Sequence, residues 1–258
     1  MGFWCHEESS LIHPVGWALS VGHPVDFSQA YRDRCTKKAF LPTDATSDMF
    51  NEPKATTNGN QSTPAIKFKE GMKLEAVDPL NLDTICVATV VRVLRQGYLM
   101  IRIDRAEDDE DEGIFCYHST SACIAPPGFC GANAITLKPP EEYEGSFRWG
   151  DYLRQTKATA APEALFGPRE DSQHSSPSSL PPFRVGMRVE AADLMDSRLV
   201  CVATIAQVAG RLVRVHFDGW SDEFDQWMDA SSPEIYPVGW CELAGYRLET
   251  PVVNGIYL

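Results

Sequence analysis

The thirteen residues Val215–Trp227, VHFDGWSDEFDQW, carry four large aromatic side chains and four acids. Rings and carboxylates at this density share one chemistry, the capture of an organic cation. Each ring face attracts a partly dehydrated cation with about 0.5–2 kcal/mol per favourable contact, and Phe217, Trp220 and Phe224 are the candidate walls. The competing use of the same residues is core packing, because large aromatics in small β barrels usually fill the interior. Trp227 belongs with that framework. Nothing in the stretch activates a nucleophile, and His216 alternates to the opposite side of its strand from Phe217, so catalysis is not expected.

The elements that must position these rings are legible as repeats. GMKLEAVDPLNLDTICVATVVRV from Gly71 matches GMRVEAADLMDSRLVCVATIAQV from Gly186 at ten of 23 positions, at an offset of 115. Each copy ends on a matching signature, IAPPGFC at 124–130 and IYPVGWC at 235–241, and IHPVGWA at 12–18 is a third such ending, with Trp4 standing upstream as Trp227 does. Met1 falls where Phe224 falls in the last copy, so the leading segment lacks most of a barrel and is expected either to be a remnant or to pack on the repeat that follows. In RLVRVHF, Val213, Val215 and Phe217 point one way and Arg214 and His216 the other, and Asp218-Gly219 supplies a turn. Short β-branched strands separated by turns predict a small, strongly bent sheet or barrel in each copy. DFSQAYRDRCTKKAF and SFRWGDYLRQTKATAAPEALF read as helical arms, the second capped by Ser146 and weakened by Gly150. Asn51–Pro64 and Gly167–Pro182 have the composition of linkers.

Twenty-three Lys and Arg against 36 Asp and Glu give a formal charge of −13. Such a surface favours basic partners and disfavours phosphate backbones and anionic lipid. A local patch of Arg211, Arg214 and Lys157 is the one place nucleic acid would use, and direct nucleic-acid binding is not expected. Eight cysteines without a CxxC pair suggest a reducing compartment. No apolar run approaches a membrane span, and a signal peptide or lipid anchor is not expected. Cys116, His118, Cys123 and Cys130 are spaced C-x-H-x4-C-x6-C, which fits no compact zinc site. No metal and no cofactor is expected.

The strings GM[KR]xEAxD, [IV]CVAT, FDGW and PVGWC, at these separations, resemble malignant brain tumor (MBT) repeats, relatives of the Tudor and chromo barrels. The resemblance covers nearly the whole chain outside the linkers. It implies a mostly β protein of tandem small Tudor-like barrels with short helical arms: residues 1–25 the C-terminal remnant of a repeat, 26–65 arm and linker, 66–140 a repeat with a degenerate pocket, 141–182 a second arm and linker, and 183–250 a repeat with a complete aromatic cage. It further implies a nuclear chromatin reader that takes mono- or dimethyl-lysine of histone tails, acting in transcriptional repression with subunits of a repressor complex. Carried over motif by motif, the anchoring acid falls on Asp193 and the walls on Phe217, Trp220 and Phe224. Phe224 stands where tyrosine is frequent and keeps the ring face. Asp196 stands where asparagine is frequent and adds charge beside Asp193.

One acid and three rings would select the lower methylation states. The carboxylate forms a charge-assisted hydrogen bond only with an ammonium that keeps an N–H, which trimethyl-lysine lacks, and unmodified lysine is too strongly hydrated to gain much from rings. The middle copy keeps Asp78 and Asn81 but reads IDRA where the last reads FDGW, so Ile103 and Ala106 replace two walls. It is predicted not to bind methyl-lysine and to serve as a packing unit. The run Glu107–Glu112 beyond it is a solvated loop or a docking patch for basic tails. Against the reader stands a scaffold whose cage is idle and whose arms dock other proteins.

Overall fold

The computed structural model describes residues 5–7, 9, 11–50, 67–105, 113–141, 143, 145–166, 183–253 and 256–257. Trp4, Ala106, the run 107–112 and the two linkers lie outside the described residues. The middle repeat is a meander of β1 (Met72–Asp78), β2 (Asn81–Val93), β3 (Tyr98–Ile103) and β4 (Ile114–His118), followed by β5 (Ile124–Ala125), helix α3 (Phe129–Ala132) and β6 (Leu137–Lys138). The sheet runs β4-β3-β2-β1-β5, with β6 beside β2. The last repeat repeats this plan with β8 (Arg188–Ala192), β9 (Val200–Ala209), β10 (Leu212–Phe217), β11 (Gln226–Asp229), β12 (Ile235–Tyr236), α5 (Trp240–Ala244) and β13 (Leu248–Glu249), in the order β11-β10-β9-β8-β12 with β13 beside β9. Two curled, mostly antiparallel sheets with few helices therefore carry the chain. Among the described residues no helix is long and apolar enough to cross a membrane.

Strand β1 is buried along all seven residues, since both of its faces are covered. Met72, Leu74 and Ala76 enter the barrel interior with Ala88, Leu99 and Ile101. On the other face Glu75 is 1% exposed, and its carboxylate accepts the backbone N–H groups of Gly128 at 2.6 Å and Cys130 at 2.7 Å. Glu190 in β8 does the same for Gly239 and Cys241, at 2.6 and 2.7 Å. This explains the P-x-G-x-C signature. The glycine enters the short helix with φ of 98° at Gly128 and 91° at Gly239, which L side chains rarely adopt, and so turns its own N–H and that of the cysteine two residues on toward the buried acid. The leading segment has the same turn before α1 (Trp17–Val21), and there Gly16 donates instead to the Tyr31 hydroxyl at 3.1 Å. Burial and the neighbouring Glu190 push the Cys241 thiol up to about 12.

The first arm is tied to the leading segment and the second to the middle barrel. Helix α2 (Gln29–Thr36) starts at Ser28, whose hydroxyl accepts the Tyr31 N–H. Helix α4 (Trp149–Thr156) starts after Arg148 without a side-chain cap, so Ser146 does not cap it as predicted. Tertiary contacts set its position instead. The Trp149 indole donates to Glu75 at 2.7 Å, and the Tyr152 hydroxyl donates to Asp104 at 2.6 Å within a cluster that includes Lys73 and Thr89. Strand β7 (Thr159–Ala160) then pairs with β1.

The repeats pack on one another through the aromatics of the first two P-x-G signatures, Trp17 and Phe129, whereas Trp240 packs within its own repeat. Phe129 packs on an apolar cluster that spans both repeats, with Val77 and Ile85 from one and Leu212 and Trp227 from the other. Trp227 is thus framework, 2% exposed. Trp17 makes the corresponding contact one step earlier. It stacks on His13 at 3.6 Å and meets the Tyr98 ring edge-on at 5.0 Å, while Arg95 donates to the Leu19 carbonyl. The leading segment thus packs on the repeat that follows it.

Two tests follow from this packing. Glu75→Ala leaves two backbone N–H groups and an indole N–H without their buried acceptor, and is expected to cost about 3 kcal/mol or more, read as a lowered urea midpoint; Glu75→Gln, which keeps one acceptor oxygen, loses less. Burial, and secondarily His23, hold the His13 imidazole below its ordinary 6.5. The docked segment therefore resists a proton that the undocked segment accepts, so the contribution is complete above that pH and is lost as pH falls below it. Amide exchange at Ser20 and Gly22, corrected for intrinsic rates, is expected to quicken between about pH 7.5 and 5.5, and less so in His13→Phe.

Candidate functional site

Three residues beyond the buried Glu190 clamp, the end of β8 opens into a turn headed by Asp193. Its backbone is fixed by Asp193 N–H to the Leu199 carbonyl and by Asp196 N–H to the Asp193 carbonyl. Its side chain accepts two hydrogen bonds, from Met195 N–H at 2.8 Å and from Gln226 Nε2 at 2.6 Å, and both fall on Oδ1. The Gln226 carbonyl oxygen in turn accepts Leu194 N–H. No side-chain cation among the described residues pairs with Asp193, and its second oxygen has none of these bonds. Gln226 is 4% exposed at the start of β11 and acts as the bracket that joins the acid to the strand following the aromatic loop.

The three predicted walls are not equivalent. Phe217 is 4% exposed at the end of β10, within the barrel core, where Leu194 and Leu199 of the acid's turn pack against the same cluster. The alternation read from RLVRVHF explains its inward face. Trp220 and Phe224 stand on the surface, 55% and 50% exposed, with their rings edge to face at 5.6 Å. Gln226 pairs with Val215, so a continued ladder would set position 224 across from position 217; the chain instead makes a single 3-10 turn at Asp222–Phe224. The segment thus divides between the two expected uses: Phe217 is part of the core, while Trp220 and Phe224 expose large apolar rings.

Asp196 turns to Arg198, which holds its carboxylate at 2.5 and 2.7 Å and, by these hydrogen bonds, keeps it below the usual carboxylate range. Its charge is therefore met by a neighbour. Asp218 closes the aromatic turn by accepting from Thr204 at 2.7 Å and pairing with Arg188. Arg211 and Arg214 are also in ion pairs, with Asp229 and Asp83.

The middle repeat offers a built-in contrast. Ala88 pairs with Ile103 as Ala203 pairs with Phe217, so Ile103 does hold the place of the first wall. By the same register Phe115 stands where Gln226 stands, and Arg105 where Gly219 stands. Asp78 keeps the N–H of Leu80 on Oδ1, as Asp193 keeps that of Met195. Its Oδ2, however, is taken by Arg105 Nη2 at 2.7 Å, and the residue is 3% exposed. Where the last repeat has a glycine beside the acid, the middle repeat has its own cation.

A tandem array of curled β sheets, in which the aspartate of one repeat is paired with an internal arginine and its counterpart in the other is held by an amide, is the class this geometry defines. The MBT repeat model matches residues 1–32, 72–144 and 187–254, and the chain belongs to the MBT repeat family. It is 50% identical over 250 residues to MBT domain-containing protein 1 of Xenopus laevis, covering 96% of this chain and 37% of that protein. It is 51% identical over 257 residues to Polycomb protein Sfmbt of Drosophila pseudoobscura pseudoobscura, covering 97% of this chain and 20% of that protein. The crystal structure of the four MBT repeats of Drosophila melanogaster Sfmbt, in complex with the peptide RHR(me)KVLR, superposes with a TM-score of 0.84 at 49% identity, over 97% of this chain and 58% of that one. The chain thus spans well under half the length of these full-length relatives.

Gln226 and Arg105 were not singled out in the sequence. A signal for the first existed: an amide at an inward-facing position of a short strand needs a polar partner inside. Gln226→Leu strands the Leu194 N–H and releases Asp193, and is expected to lower stability by about 1–3 kcal/mol, measured by chemical denaturation.

Proposed function

We propose that this chain is a non-catalytic methyl-lysine reader of chromatin whose ligand enters the last repeat. The observation that carries the reading is the contrast between the two acids: Asp78 has its Oδ2 occupied by Arg105, whereas no cation among the described residues meets Asp193. A carboxylate that is held by one oxygen and leaves the other for a cation, in the repeat that also exposes Trp220 and Phe224, suits a guest that brings both a positive charge and an N–H. Phe217 would form the inner wall and floor, and Asp196, paired with Arg198, would hold the turn rather than the guest. The peptide bound to the related Sfmbt repeats, with its methylated lysine among basic residues, supports the ligand class, and the net charge of −13 suits a basic tail.

The reading extends to monomethyl- and dimethyl-lysine of histone tails in the nucleus, and to repression alongside other subunits; the Polycomb designation of a relative supports the latter. Calorimetric titration of mono-, di- and trimethyl-lysine peptides tests it. The lower states are expected to bind and trimethyl-lysine to bind weakly. Trp220→Ala and Phe224→Ala are each expected to weaken binding about 5- to 30-fold, as loss of 1–2 kcal/mol per ring implies, and Asp193→Asn to remove the preference for lower states. Binding of no methylation state would leave a scaffold whose surfaces serve other partners.

A further inference from the structure

The loop that carries Trp220 and Phe224 does not stand alone. Phe224 lies between two acids, Asp222 and Asp225, and one arginine grips both. Arg214 Nη2 donates to the Asp222 carbonyl at 3.3 Å, and its Nε lies 3.2 Å from Asp225 Oδ2, an ionic contact without hydrogen-bond alignment. The same Nη2 donates to Asp83 Oδ1 at 2.5 Å, and Asp83 belongs to β2 of the middle repeat. His216, two residues along β10, completes the bracket from the other side, with Nδ1 2.8 Å from Asp225 Oδ1 and 3.6 Å from Asp222 Oδ1. His216, Asp222 and Asp225 lie close enough together to be metal ligands, and Asp225 also meets the guanidinium of Arg214.

From this arrangement we infer that the cageless middle repeat positions the reading loop of the last repeat: Asp83 fixes Arg214, and Arg214 fixes the turn that holds the Phe224 ring. Three observations converge. Asp225 is 3% exposed, so its carboxylate needs the partners that β10 provides. Arg214 bonds the Asp222 carbonyl, pairs with the Asp225 carboxylate and reaches Asp83 of the neighbouring repeat, so it ties both ends of the turn to that repeat. Finally, the bracket is missing from the repeat that lacks the cage. By strand register Met100 stands in place of Arg214, Arg102 in place of His216 and Ile114 in place of Asp225. Bracket and cage occur together in one repeat and are absent together from the other.

Asp83, Arg214 and Asp225 are on this account positioning residues, which touch no ligand and act through Phe224. The consequence for ligand binding rests on the methyl-lysine reading above, whereas the ordering of the loop does not. The test uses the whole 258-residue chain. In the ligand-free protein, Asp83→Asn is expected to speed amide exchange at Phe224 and Asp225, whose N–H groups bond the Ser221 and Asp222 carbonyls, and to leave the β9 amides unchanged. Titrated with RHR(me)KVLR, Asp83→Asn is expected to bind about 3- to 10-fold more weakly, the range of a coupled contact, and Asp83→Glu to recover part of the loss. In a Phe224→Ala background the Asp83→Asn change is expected to add nothing.

Unchanged exchange at Phe224 and Asp225 would overturn the inference, as would a full additive loss in the Phe224→Ala background. Failure of the unsubstituted protein to bind the peptide would sink the reader proposal alone, since exchange still reports whether Asp83 orders the loop.

Discussion

A glutamate without access to water, bonded to the N-terminus of a helix of four or five residues, is the constraint on which each repeat depends. Neither partner is stable by itself: so short a helix has no cooperative stability of its own, and a buried carboxylate without donors carries a desolvation penalty of several kcal/mol. Together they fix the distance between the first strand and the closing signature, at Glu75 with Gly128 and Cys130 and at Glu190 with Gly239 and Cys241. The positive-φ glycine is the geometric condition for the bond. The sequence EAxD therefore contains two acids with different tasks. The glutamate locks the strand, and the aspartate three residues later is delivered to the rim of the barrel.

Delivery alone does not leave the acid without a cation, as the middle repeat shows. Asp78 and Asp193 arrive at equivalent places with the same turn bond to the second following N–H. Their fates diverge through one neighbour. Gly219 presents no side chain, whereas Arg105, at the corresponding position, pairs with Asp78. Glycine at this point is a condition of openness as much as of turn geometry. The substitution of Ile103 for Phe217 and of Phe115 for Gln226 then removes a wall and the amide that steadies the acid. The two copies of one acid thus differ in what meets them, an internal ion pair in one and an amide in the other.

Much of this architecture was legible in the sequence, because it is written in local patterns. The offset of 115 residues between copies, the alternation in RLVRVHF and the P-x-G-x-C endings each report a strand or turn that the structure contains. The misplaced cap at Ser146 has an equally plain reason: Trp149 and Tyr152 bond Glu75 and Asp104, 74 and 48 residues away, and those contacts outweigh the preference of one serine. Gln226 and Arg105 eluded pattern for the same cause. Their partners lie 33 and 27 residues distant, and only the folded register shows that a glutamine and an arginine meet the two copies of one aspartate. The exposure of Trp220 and Phe224 against the burial of Phe217 likewise follows from where the ladder stops, which side-chain type does not determine.

The joint between the repeats ties these points together. Trp227 and Leu212 of the last repeat share an apolar cluster with Val77 and Ile85 of the middle one, and the strand that bears Arg214 runs through that contact. Two exposed rings on a loop, such as Trp220 and Phe224, have little packing of their own to keep them in place. Rigidity must come from the elements behind them, here β10, β11 and, across the joint, β2. This gives a physical reason for a repeat without a usable cage to remain a well-packed barrel. Its core need only be firm enough to hold a surface against its neighbour, and its unused acid can be neutralised internally without cost to that task.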